Sequence, residues 1–600
     1  MFVVNHLPSR VAGTMCQIKY LFVVALVCSL FVSCEKEEAS DGTIEIFAEA
    51  MSGGNGKVLL DGATATWVNG DAIRINSTEV AVERRNDRAY ISYNAAEDEV
   101  TRAVYPASLA SGDLTSDNVT INFPAYYHYR TDASGHQLLD LPMAARSSGR
   151  NPLQFKHLTG ALYVTVTNTA ETTLTLQSVS VHSNGYKLNG SKIIDLTNLE
   201  GFTSTFAGEG ESQASSRFVT LLFDEGYPLA PGASIRVMVP VMPSGGVGSN
   251  KNDFTIRVKS YDTSQNFYLF SQTQNTGTDH VLHRNELGYA PVSITASGAG
   301  AILDQENGNY VVRNAMDFLL MTQNITSGTI TGSSNIDILS DIDMSGIPIT
   351  TINNPTYTGT INGNNHTINN LKINSLNLGT SGFCCALFYR VQANIRVKNI
   401  KLHNILLNHQ TSTDKKIILS GLFGSYSTTN NGTLNVENCE VTFAAPNVRT
   451  SNGPIYFGGL LGEIEMGTSH VSITNCTVTT LDFSLAGRAF YWGGFVGSVG
   501  SSNVTIENSS WSGTTNIDAQ KAIRIGGMIG NKTQGLFSAK ENTINGTISA
   551  KSPYGQARYL GTLLGYFSTP NTVDTLHITR NIAFTLNDTT ITPDAFGVNR

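Results

Sequence analysis

Carboxylates are the first residues to test for chemistry, because glycan-cleaving β-rich proteins need two or three of them converging on one face as acid, base or nucleophile. In the second half of this chain they are scattered over Glu437, Glu440, Glu463, Glu465, Asp482, Glu507 and Asp518. Glu437 and Glu507 fall at one repeat position, but Thr474 separates them. Asp341 and Asp343, at i and i+2, read as turn or capping residues. Asp279-His280-Val281-Leu282-His283 offers two imidazoles at i and i+3; without a helix there the rings do not share a face, so no metal site is expected. No nucleophile elbow, phosphate loop or zinc motif occurs. The expectation is no catalytic residue, no cofactor and no metal. Tyr456, Tyr491, Trp492 and Trp511 could stack on sugar rings, although Trp511 sits at an inward repeat position.

The elements that must position any site are strands. The 600 residues are only 14% charged and carry 56 glycines against 17 prolines, with Thr, Ser, Asn, Val and Ile in long tracts. That composition describes an all-β protein of several units. The 39 basic and 47 acidic residues give a net charge of −8 with no basic block, which excludes a nucleic-acid partner. Of seven cysteines, Cys384, Cys385, Cys439 and Cys476 remain beyond residue 34, too few for a disulfide framework. Cys439 and Cys476 take the same place on adjacent repeats and read as two buried thiols, since stacked Cβ atoms stand farther apart than the roughly 3.8 Å a disulfide prefers, a disulfide being the alternative; Cys384-Cys385 read as neighbours pointing to opposite faces of a strand.

Residues 20–32 form an apolar run too short to span a bilayer as a helix, which needs about 20. Lys19 precedes it, and it ends at Phe31-Val32-Ser33-Cys34 before Glu35-Lys36-Glu37-Glu38. The segment resembles the lipobox of bacterial lipoproteins, departing from it at Phe31. The resemblance implies a signal peptide over 1–33 (the start being Met15), lipidation of Cys34 and a tether over 34–42. It further implies a Gram-negative outer membrane, with the chain held at the cell surface through the lipid on its acylated cysteine.

From 43 to 294 short period-2 runs such as Leu162-Tyr163-Val164-Thr165-Val166 alternate with glycine-rich turns, predicting two β-sandwiches over 43–148 and 149–294. Five segments stand in the order found in fimbrillin-like proteins: Ala65-Thr66-Trp67-Val68-Asn69-Gly70-Asp71, Val104-Tyr105-Pro106-Ala107, Leu141-Pro142-Met143-Ala144, Leu153-Gln154-Phe155-Lys156-His157 and Arg284-Asn285-Glu286-Leu287-Gly288-Tyr289. The resemblance implies a surface protein with tandem sandwiches and fimbrial subunits as partners. Trp67 and His157 read as core residues.

After an expected linker at 295–303 the sequence repeats. Cassettes of the form Gly-x-x-Gly end at Gly424, Gly462, Gly497, Gly530 and Gly565, spaced by 38, 35, 33 and 35 residues. Between them Asn370, Asn399, Asn438, Asn475 and Asn508 each interrupt a period-2 pattern by one residue. Both flanking strands keep their apolar faces inward only if the chain turns a corner there. Stacked corners let the amides hydrogen-bond in a ladder. The predicted architecture over 304–600 is a parallel β-helix of about seven rungs, with further corners at Asn542 and Asn581 and a helical cap near 314–321. Together with Tyr357-Thr358-Gly359-Thr360-Ile361-Asn362-Gly363, these cassettes resemble GLUG-motif proteins, which implies a bacterial surface protein or adhesin. The expected function is a non-catalytic, fimbria-associated adhesin presenting its β-helix to an unidentified glycan or protein ligand. A carbohydrate-active β-helix enzyme, a lyase or glycosidase on a sandwich stalk, is the alternative.

Overall fold

A computed structural model describes residues 42–599, with longer breaks at 49–51, 54–66, 203–216, 244–253 and 275–282 and short ones of one to four residues elsewhere. The signal peptide, Cys34 and the tether lie outside the described residues, as does most of the segment from Asp279 to His283. Strand accounts for 59% of the structure and helix for 4%. Among the described residues no helix is long and apolar enough to cross a membrane.

Alternating apolar residues build the first unit. Strands Thr43–Ala48, Leu153–His157, Met143–Ser148, Val100–Tyr105, Ala72–Ile75, Thr78–Arg85 and Arg88–Ser92 follow one another around a closed barrel. Its sheet leaves no free edge, since Thr43–Ala48 pairs on both sides. Ile44, Ile73, Ile91, Trp67 and Phe155 fill the interior, and Trp67 meets Tyr105 and Phe155 edge-on, each at 5.0 Å. His157 is fully buried, as its flanking residues imply.

The second unit is a two-sheet sandwich. One sheet orders Ser234–Val241, Gly160–Asn168, Glu286–Ile294 and Ser52–Gly53; the other orders Phe267–Gln274, Phe254–Tyr261, Leu174–Ser183, Phe218–Leu229 and Tyr126–His128. The two units interlock across the expected break at 148/149. Leu153–His157 belongs to the first barrel, whereas Ser52–Gly53 and Tyr126–His128 pair into the second unit.

The remainder is a β-solenoid of about six turns. One face is a sheet whose strands, from Asn309–Val312 to Val573–Leu576, pair in parallel. Another holds six parallel strands, Phe388–Val391, Phe423–Tyr426, Leu461–Ile464, Val496–Val499, Ile529–Lys532 and Leu564–Phe567. A third, longer sheet closes the coil. The expected cap is helix α1, Ala315–Thr326, started by Asn314, whose side chain accepts the Asp317 backbone N–H. Residues 301–303, expected as linker, pack beneath α1: Ala301 and Leu303 are buried, and Asn324 bonds both of their backbones.

The sandwich and the solenoid share a core, because Phe267 packs into the same apolar cluster as Phe318 and Leu320 of α1. A polar network surrounds that seam. Gln177 donates to Asp317 at 2.6 Å, Lys259 pairs with Asp304, and the Arg313 guanidinium lies 3.6 Å from the centre of the Tyr126 ring.

Candidate functional site

The cassette glycines set the solenoid's sharpest corner. A Cβ at Gly462 would lie 2.2 Å from Ile418 Cγ2 and 2.8 Å from the Gly424 carbonyl; one at Gly497 would lie 2.5 Å from the Gly462 carbonyl; and ones at Gly530 and Gly565 would lie 2.6 and 2.4 Å from the carbonyls of Gly497 and Gly530. At Gly424 the obstacle is Cys384 Sγ, 2.2 Å away. None of the five takes a positive φ. These glycines are required by close approach of successive coils.

The asparagine ladder forms, with a corrected membership. Asn399, Asn438, Asn475 and Asn508 all take left-handed backbone with φ between 48 and 55°, and strand register places them in one column. Asn438 donates to Asn399 and Asn475 to Asn438, both at 3.0 Å, while Asn399 donates to Asn362. Asn370 belongs to a different corner: it stacks on Asn404, which donates to it at 2.6 Å, and itself donates to Asp343. The column continues through Glu541 and His577, at φ 53 and 50°. Asn542 is one residue past the corner, and Asn581 lies within a strand opposite Asn545. The count of seven rungs ran from Asn370 to Asn581; the column itself has six positions from Asn399 to His577, in keeping with about six turns. A second ladder, Asn374, Asn408 and Asn447, with bonds of 2.7 and 2.8 Å, went unforeseen.

Because the glycine corner is so tight, side chains on its two sides converge into a strip along the solenoid, the groove, in which Ile418, Ser425, Glu463 and Asn531 are buried and Tyr456, Tyr491, Ser498, Arg524, Tyr559 and Tyr566 stay partly exposed. One wall is the register column Ile418, Tyr456, Tyr491, Arg524 and Tyr559. The other is Ser425, Glu463, Ser498, Asn531 and Tyr566. Lys416 bonds Glu463 at 2.6 Å and lies 5.3 Å from the centre of the Tyr456 ring. Tyr456 and Tyr491 stack at 4.4 Å. Arg524 follows, 5.3 Å from the centre of the Tyr491 ring and 4.2 Å from that of Tyr566, and donates to Asn531 at 2.6 Å. Asn531 in turn donates to Ser498. At the opening end Arg390 pairs with Glu465 at 2.7 Å, and Ser425 donates to that carboxylate.

Burial pushes the Glu463 carboxyl above its ordinary range, and the Lys416 ammonium opposes that shift. Burial also pushes the Tyr456 phenol up, so it stays a neutral donor. Glu463, on strand Leu461–Ile464, and Glu465, one residue past its end, lie close enough for the Glu465 charge to raise the Glu463 carboxyl further. Of the aromatics considered as sugar platforms, Trp492 and Trp511 are fully buried. Tyr456 and Tyr491 turn their faces to each other and to the flanking cations, leaving ring edges to solvent. The groove therefore presents hydrogen-bonding groups and charge rather than open ring faces.

Asp343 serves a turn, accepting from Ser345 as well as from Asn370, whereas Asp341 joins the next coil, accepting the Thr367 N–H and meeting the His366 ring. These bonds hold both carboxyls below the usual range. Cys384 and Cys385 do face opposite ways, into a small cluster and the main core respectively. Cys439 and Cys476 are buried free thiols, and the neighbouring thiol and burial push Cys439 up. The groove was missed from sequence, yet it had a signal: residues seven apart across each cassette, namely Tyr456/Glu463, Tyr491/Ser498, Arg524/Asn531 and Tyr559/Tyr566.

No family model matches this chain, and no characterised protein matches its sequence. Among solved structures, a proposed cell adhesion protein from Bacteroides uniformis is 13% identical over 44% of this chain and 96% of its own, with a TM-score of 0.25. One from Bacteroides ovatus is 13% identical over 43% and 93%, with a TM-score of 0.25. A proposed adhesin from Bacteroides ovatus is 9% identical over 43% and 94%, with a TM-score of 0.20. Similarities this slight assign the chain to no family.

Proposed function

We propose that this chain is a lipid-anchored surface adhesin of a Gram-negative bacterium, whose solenoid binds a glycan or protein ligand outside the cell. The observation that carries the reading is the groove at the glycine corner, a continuous row of donors, acceptors and charges on a solenoid seated on the sandwich through a shared core. The lipobox resemblance supplies the anchor, acylated Cys34 in the outer-membrane lipid. The fimbrillin-like order of segments supports tandem stalk units with fimbrial subunits as partners, and the cassettes resemble those of surface adhesins. The test is the chain from residue 35 onward on immobilised glycans and matrix proteins, scoring retained ligand and newly released sugar ends together. Retention without cleavage is the expected result; no retention on any surface would remove the adhesin reading. Cleavage would favour the second reading, an enzyme. One observation speaks for that reading: Glu463, with its raised carboxyl, stands two residues from the ion-paired Glu465.

A further inference from the structure

Three cations line the groove, and two of them are neutralised within it: Lys416 by Glu463 and Arg390 by Glu465. Arg524 differs. It makes one hydrogen bond, to the Asn531 amide oxygen, and its other described neighbours are the rings of Tyr491, Tyr559 and Tyr566. No carboxylate pairs with it among the described residues. A guanidinium has five N–H donors in a rigid fork suited to a carboxylate or sulfate. Here the fork is held in place from both sides, by aromatic faces and by the Ser498–Asn531 bond behind its partner, while the side chain remains half-buried at the groove wall. A held cation with most of its donors unspent is what recognition of an anion requires.

We propose that Arg524 is the anion anchor of the groove and that the ligand is an acidic polysaccharide, whose carboxylate or sulfate meets this guanidinium. This rests on the adhesin reading and deepens it. The neighbours favour a sugar chain over an acidic peptide. Ser498 and the phenol edges of Tyr491 and Tyr559 are uncharged, partly exposed groups that match hydroxyls, and they lie on successive coils along the groove, where an extended polymer meets one set after another.

The experiment uses the chain from residue 35 onward on surfaces of polygalacturonate, dextran sulfate, neutral dextran and poly-glutamate, at low and high salt. The wild type should retain one or both acidic polysaccharides and not dextran, the two acidic arms telling carboxylate from sulfate. Arg524→Gln should weaken that retention on the order of tenfold or more, with Arg524→Lys intermediate because it keeps charge but loses the fork. Arg396→Gln, on another face, should leave it unchanged. If Arg524→Gln does not fold, as judged by its melt, Asn531→Ala takes its place and should weaken retention several-fold. Equal retention of dextran and the acidic polymers overturns the proposal, as does an Arg524→Gln affinity within twofold of wild type. Poly-glutamate held as tightly as the sugars overturns the ligand class. Failure on all four surfaces overturns this proposal alone if the broader panel yields a ligand, and the adhesin reading as well if it does not.

Discussion

Substituting Gly497 by Ala places a methyl group between two coils. Its Cβ would sit 2.5 Å from the Gly462 carbonyl oxygen and 2.7 Å from that of Phe457. Both oxygens belong to strands, so neither can rotate away as a side-chain tip would. Reaching even 3.0 Å from Gly462 needs an opening of about half an ångström in a ladder whose hydrogen bonds are already at optimal length. Overpacking of this kind costs about 1–3 kcal/mol where side chains can yield, and more where only backbone can. A loss of about 3–4 kcal/mol is expected, which for a unit of this size lowers the melting temperature by roughly 6 °C or more. Because repeat proteins couple mainly to nearest neighbours, hydrogen exchange should rise first in the strands around 461–464 and 529–532. Gly300→Ala is the matched control: nothing lies within 4 Å of its added Cβ and its φ is not positive. It should be neutral or stabilising by up to about 1 kcal/mol. The assay is thermal unfolding of the whole chain followed by circular dichroism, with exchange mass spectrometry to locate the damage. A Gly497→Ala melt within 1–2 °C of wild type, or exchange changes away from those coils, would refute the close-approach argument.

Three further outcomes follow from the same geometry. Asn438→Ala should cost about 2–3 kcal/mol, from two ladder bonds and an unfavourable left-handed backbone, and Asn438→Gly about 1 kcal/mol less because only the bonds are lost; equal melting temperatures for the two would dismiss the corner explanation. Asp317 is buried at the sandwich–solenoid seam, and desolvation raises its carboxyl to about 6. Its native pKa lies above the unfolded value, so this group's contribution is greatest below about pH 4 and falls as pH rises towards 6, by about 3 kcal/mol in all. Nearby His182, held neutral to about 4 by burial and by Arg257, acts oppositely, losing stability as pH falls from about 6.5 to 4. Asp317→Asn should therefore melt higher than wild type at pH 7.5 and alike at pH 4, with Gln177 turning its own amide oxygen, which lacks a partner as placed, towards the new NH2; a difference independent of pH would sink this. Cys384, Cys385, Cys439 and Cys476 should resist a thiol reagent in the native protein and react together on unfolding, as buried thiols do; fast labelling of any one in the folded state would contradict its burial.

Much of this was legible because a solenoid writes its geometry locally. Gly462 and Asn438 each answer to the copy one coil away, so spacing near 35 residues exposed both the corners and the coil. The asparagine at 370 misled for a physical reason. Any left-handed corner breaks the period-2 pattern in the same way, so sequence alone could not tell which of two corners it served. At the far end the column passes through Glu541 and His577, whose left-handed backbone is imposed by the strands on either side; the adjacent Asn542 carried the expected residue type at the wrong position. The interlocked strands Ser52–Gly53, Tyr126–His128 and Leu153–His157 were hidden because each reads as an ordinary short strand, and its partner sheet is a long-range choice.

What the sequence by itself determined is the all-β class, the coil length, the inward faces, the cassette glycines and the corners at Asn399, Asn438, Asn475 and Asn508, since each follows from periodicity that near neighbours enforce. The tertiary structure alone decided the groove. Tyr456 and Glu463, or Arg524 and Asn531, share a site only because the glycines of each cassette, lacking Cβ atoms, let two strands fold against each other. It likewise decided that Tyr456 and Tyr491 spend their faces on each other and that Arg524 pairs with no carboxylate among the described residues. Which charges neutralise which depends on three-dimensional distance across a corner, and no spacing along the chain encodes that directly.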